Sequence, residues 1–93
     1  MTTAETIEKE NIPSLNFSKR DVLTDPDERL KRLNDLFRSQ SLGNLHQSKV
    51  KLIFKTADNQ IYQVETTIWA VSDYFVSLKG GVNIPINSIF KIE

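Results

Sequence analysis

Cysteine is absent from the 93 residues, so neither a disulfide framework nor a thiolate metal site is available. There is one histidine, His46, and a lone imidazole without an orienting acid supports neither a catalytic triad nor a metal centre. No apolar run reaches the roughly 18 residues that a membrane-spanning helix needs. The opening residues, MTTAETIEKE, lack the basic start and apolar block of a signal peptide. Glycine and proline occur three times each, too few to organise a phosphate-binding loop. Gly80-Gly81 lacks the lysine and helix such a loop requires and reads as a turn. These absences set the expectation of a cytoplasmic, non-enzymatic protein with no cofactor, no metal, no membrane contact and no small-molecule substrate.

What is present is unevenly distributed. The formal charge is zero, yet residues 1–28 carry three basic groups against seven acidic ones. Residues 29–57 carry seven basic groups against one acid, and residues 58–93 two against four. Only the basic middle would favour an anionic partner.

The chain divides into an arm, 1–23, and one domain, 24–93. The arm holds Pro13 and scattered apolar residues without a period, and is expected to be flexible, with Ile12 to Phe17 docking in extended form. Asn16-Phe17-Ser18 matches the glycosylation tripeptide, but without a secretion signal it is read as chance.

Residues 25–41 have the signals of a helix. Asp25 suits the N-cap, Pro26 the first helical position, and Glu28 the capping box. Leu30, Leu33, Leu36 and Phe37 recur at three- and four-residue spacing, giving one amphipathic stripe expected to lie on the sheet. Gly43 is available for a left-handed exit after Ser41.

From Lys49 the period becomes two. VKLIFKT, IYQVETTIWAV, YFVSLK, VNIPI and SIFKI read as five strands, separated by ADNQ, SD and Gly80-Gly81. The inward faces are Val50, Leu52 and Phe54; Tyr62, Val64, Thr66, Ile68 and Ala70; Tyr74, Val76 and Leu78; and Val82, Ile84 and Ile86. A second strand of about eleven residues exceeds the usual five or six, which implies a sharp bend as in a small closed barrel. About 45 residues of barrel are too few to bury a sufficient core alone, so the helix or a second subunit must add apolar surface. The expected fold is therefore mainly β: a five-stranded small barrel preceded by one amphipathic helix and a flexible N-terminal arm.

This layout, with I-P-I-N-S-I joining the last two strands, resembles the Sm-like and SH3-like small barrels over about residues 25–93. V-E-T-T-I-W-A-V with L-K-G-G-V-N-I-P-I-N-S-I resembles a group of short bacterial proteins of that type. More distantly the layout is similar to the Rho-binding antitermination proteins, which contact a protein through a helix and an Sm-like barrel. Leu78-Lys79-Gly80 imitates the RNA-binding signature of Sm proteins, but joins strands three and four rather than the last two. The first strand here is basic, whereas the Rho-binding family is acidic on its contact face.

Two sets of outward side chains remain as binding candidates. One is basic: Arg29, Arg32, Arg38, Lys49, Lys51 and Lys55, which would form a groove for RNA or an acidic surface, or else a solvated face. The other is aromatic: Trp69 and Phe75, out of phase with the inferred core. Trp69 either packs beneath Leu33, Leu36 and Phe37 or anchors a protein interface. The leading expectation is protein binding or self-association, through a strand edge or the outer aromatic face. The alternative is a small RNA-binding or RNA-regulatory module.

Overall fold

A computed structural model describes residues 4–93. Its elements are a two-residue strand β1 (Glu5–Thr6), a 3₁₀ helix (Lys9–Ser14), the helix α1 (Pro26–His46), and strands β2 (Val50–Lys55), β3 (Ile61–Thr66), β4 (Ile68–Val71), β5 (Phe75–Leu78) and β6 (Asn83–Pro85). A 3₁₀ turn (Ile86–Ser88) then leads into β7 (Ile89–Ile92). Among the described residues the seven strands form two sheets, ordered β1-β3-β2-β7 and β4-β5-β6. The fold is thus mainly β with one long helix.

The long second strand expected from the sequence is split. Thr67 separates β3 from β4, which lie in different sheets. The bend is buried, and the Thr67 carbonyl accepts from the Lys79 N–H at 2.9 Å, tying it to the end of β5. Between the sheets lie Leu52, Phe54, Val64, Ile68, Val76, Leu78, Ile84, Ile86 and Ile89, each at most 8 % exposed. Period-two alternation explains Leu52, Phe54, Val64, Val76, Leu78 and Ile84.

The expectation of a closed five-stranded barrel requires correction. Among the described residues no pairing joins β6 to β7. Pro85 has no N–H to offer, and the chain immediately turns through 3₁₀ geometry. Backbone upstream of α1 fills the seam instead. Val22 N–H donates to the Asn87 carbonyl at 2.9 Å, and the Asn87 amide donates to the Lys19 carbonyl at 2.8 Å.

The stretch read as an arm is laid against the sheets over residues 4–23. Glu5 and Thr6 pair in parallel with Tyr62 and Gln63. Ile12 is fully buried, in 3₁₀ rather than extended conformation, and Phe17 sits 5.9 Å from Phe54, ring centre to ring centre. The area missing from the strands is supplied by Ile12 and Leu36, both at 0 % exposure.

Helix α1 begins as its capping residues dictate: the Asp25 carboxylate accepts from Asp27 N–H at 3.0 Å. It ends later than expected. Gly43 lies inside it, and the left-handed exit falls to Gln47 at φ 52°. Gly43 serves close approach, since a Cβ there would stand 2.5 Å from the Ile68 carbonyl oxygen. The buried row is Arg32, Leu36, Ser39 and Gly43. Of the expected apolar stripe only Leu36 is fully buried, while Leu30 and Phe37 are exposed. Small side chains let the helix backbone come within contact of β4, which large ones would prevent.

Candidate binding surfaces

The basic set does not converge. Arg32 is buried, donating from Nη1 and Nη2 to both carboxylate oxygens of Asp21 at 2.8 and 2.7 Å and from Nη1 to the Ile89 carbonyl at 3.0 Å. A two-pronged pair of this kind orients as well as attracts. Arg29 donates to the Leu23 carbonyl at 2.7 Å and lies 3.5 Å from Asp21. Burial of the Asp21 carboxyl pushes its pKa up. The hydrogen bonds from Arg32 and Leu23, with the charges of Arg32 and Arg29, outweigh that, and it titrates below its ordinary value. Two of the six cations are therefore directed at Asp21.

The others are scattered. Lys51 lies opposite Glu65 in the β2–β3 register. Lys49, one residue before β2, and Lys55 at its end are about 20 Å apart at strand rise. Lys49 borders a shallow cleft shared with Glu8, Glu10 and Glu65, so its surroundings carry both signs. Lys55 borders a different one with Arg20 and Asp21. Arg38 is exposed on α1.

The aromatic residues are better organised. Ser72 pins the turn between β4 and β5: its hydroxyl accepts from Phe75 N–H at 3.1 Å, and its own N–H donates to the Phe75 carbonyl at 2.9 Å. Tyr74 and Phe75 follow that turn at 76 % and 47 % exposure. Tyr74 was expected in the core, but it belongs to the turn, where strand alternation no longer applies. Phe75 stands directly opposite Pro85. With Phe17, Ile86 and the Asp21–Arg32 pair they line a cleft of about 590 Å³, with Lys19, Asp73 and Asn87 completing its wall.

Trp69 does not line this cleft. It is the extra residue of a β-bulge, since Ile68 pairs with Leu78 and Ala70 with Ser77. The bulge reverses the alternation beyond it, leaving Ala70 exposed where the core was expected. Trp69 is 49 % and Phe37 47 % exposed, so the reading that buries Trp69 beneath the helix stripe is not what the structure has.

The edges of the β4-β5-β6 sheet are partly blocked. Helix α1 runs antiparallel along β4: Gln40 accepts from Val71 N–H at 2.6 Å, Gly43 abuts Ile68, and the Thr67 hydroxyl donates to the Gln47 carbonyl at 3.3 Å. Arg32 meets the first carbonyl of β7. The three-residue β6 carries Pro85, which denies its edge a donor.

Among the described residues, no three His, Cys, Asp or Glu side chains come together to hold a metal ion. His46 is exposed in the last turn of α1. Asp58 is engaged in its own turn, accepting from the Thr56 hydroxyl, whose hydrogen bond lowers its pKa. Among the described residues no helix is long and apolar enough to cross a membrane. Compared with known proteins, the chain matches no family model, no curated protein and no solved structure.

Proposed function

We propose that the chain is a non-catalytic, cytoplasmic protein-binding module of the Sm/SH3-like small-barrel type, taking an extended peptide segment in the cleft beside Tyr74, Phe75 and Pro85. The architectural part is supported by the strand succession β7-β2-β3, bent at Thr67 into β4-β5-β6, with a helix before and a 3₁₀ turn between the last two strands. The observation that carries the binding reading is the adjacency of two outward aromatic rings and a proline at a cleft of about 590 Å³. Aromatic anchors in a pocket dominate protein interfaces. The cover of β4 by α1 and the proline on β6 favour this surface over strand addition at that sheet.

Selection of a random peptide library on the immobilised chain tests the proposal. Enriched peptides should lose about 30-fold in affinity with Phe75→Ala or Tyr74→Ala, the size of a hot-spot effect, and be unaffected by Trp69→Ala. Peptides indifferent to both cleft substitutions would refute it. The RNA alternative has less support, because its six cations are dispersed or engaged with Asp21. Binding of single-stranded RNA that weakens steeply with salt and falls in the K49E/K51E/K55E variant would restore it.

A further inference from the structure

The outer face of α1 has no partner among the described residues. Leu30, Leu33, Phe37, Ser41 and Leu45 succeed one another at three- and four-residue steps, so they share one side of the helix. That side is opposite the buried row of Arg32, Leu36, Ser39 and Gly43. Leu30, Phe37 and Leu45 are 57 %, 47 % and 75 % exposed. The helix turns its small and polar side chains toward the sheets and much of its apolar surface outward, the reverse of an ordinary surface helix.

We infer that this face is the dimer interface for a second copy of the chain, packed helix against helix and antiparallel about a two-fold axis at Phe37. Three features single out a second copy as the occupant. First, the pattern is self-complementary. Leu30 and Leu45 lie seven and eight residues either side of Phe37, so the axis brings Leu30 of one chain to Leu45 of the other. Leu33 then meets the small Ser41, and Phe37 meets itself, as a two-fold interface requires. Second, one charge pair is complementary in the same register: Asp25 at the helix start lies across from Lys49 of the other chain. Third, antiparallel packing opposes the two helix dipoles favourably. A membrane surface is a poorer match: its helices carry a polar face rich in cations, whereas α1 mixes Asp27, Glu28 and Asp35 with Arg29, Lys31 and Arg38.

The paired helices are about 31 Å long. One helix face each is less than the roughly 800 Å² per partner of a standard interface, which suits a reversible dimer. It uses a surface separate from the peptide cleft and stands or falls independently of it.

The test combines sedimentation with cysteine cross-linking in this cysteine-free chain. Sedimentation of the full chain should show a monomer–dimer equilibrium weakened at least tenfold by Phe37→Glu. Leu45→Glu, at a more exposed position, should do the same with unchanged circular dichroism, covering the case in which the first variant folds poorly. Under mild oxidation F37C should cross-link to itself, and L30C to L45C in a mixture. A monomer at millimolar concentration would overturn the inference, as would a dimer indifferent to both charged substitutions. Self-cross-linking of L30C to the exclusion of the L30C–L45C product would also overturn it. So would binding to phosphatidylcholine–phosphatidylglycerol vesicles by a chain that is monomeric without them.

Discussion

Replacing Gly43 by alanine should destabilise the protein, although alanine is the better helix former. In an exposed helix interior the exchange would gain about 1 kcal/mol. Here the added methyl would lie 2.5 Å from the Ile68 carbonyl oxygen and 3.0 Å from the Thr67 methyl, where even a close carbon–oxygen contact needs about 3.3 Å. Backbone is on both sides of the clash, so no rotamer relieves it. Either α1 retreats by nearly an ångström or β4 tilts. Retreat stretches the Gln40–Val71 bond of 2.6 Å and the Thr67–Gln47 bond of 3.3 Å. Overpacking costs about 1–3 kcal/mol and a weakened hydrogen bond about 1 more, which leaves a net loss of about 1–3 kcal/mol after the helix gain. At 4–8 °C per kcal/mol for a domain of this size, the melting temperature should drop by roughly 4–24 °C. Thermal and urea melts followed by circular dichroism measure this, with exposed Asn44→Ala as the control that should not destabilise. A Gly43→Ala protein as stable as the parent would refute the close helix–sheet crossing.

Other substitutions probe the remaining contacts. Asp21→Asn should cost about 3 kcal/mol in a urea melt, because Arg32 would stay buried without its counter-charge. The Asp21 carboxyl titrates lower folded than unfolded, so its stabilisation is present above the unfolded value, about 3.9, and is lost as pH falls through the folded one. The acid limb of a stability–pH profile should therefore flatten in that variant. Ile12→Ala should cost about 2–5 kcal/mol, comparable to a central strand residue; a loss under 1 kcal/mol would show the N-terminal segment to be dispensable. Trp69→Ala should cost less than a fully buried aromatic, below about 3 kcal/mol, and iodide should quench Trp69 fluorescence in the native protein.

Alternation made the sheet core readable before any coordinates: Leu52, Phe54, Val64, Val76, Leu78 and Ile84 are buried as their spacing implies. The capping residues Asp25 and Pro26 likewise placed the helix start. What escaped was set by tertiary contact. A glycine that ends a helix and one that lets a strand approach look alike in one dimension, so Gly43 was misjudged. Arg32 resembled its exposed neighbours because Asp21, which holds it, lies eleven residues upstream in a segment without periodicity. The bulge at Trp69 shifts the phase by one residue with no glycine to announce it. Of the proposed cleft, the exposure of Phe75 was legible because it is out of phase. Tyr74, Phe17 and Pro85 join it only through the turn and the wrapped N-terminal segment.

That wrapping bears on how the chain emerges during synthesis. The seam beside β6 is stitched by bonds between Asn87 and residues 19 and 22, and Arg32 reaches Ile89. The backbone groups of residues 19 and 22 thus wait for residue 87 to be made, whereas those of Glu5, Thr6 and Ile7 wait only for β3. Pairing across such separations is slow because the loop must close before any contact rewards it. Ile12 and Phe17 stay available to other molecules until the strands they pack on have been made, with Phe54 the partner of Phe17.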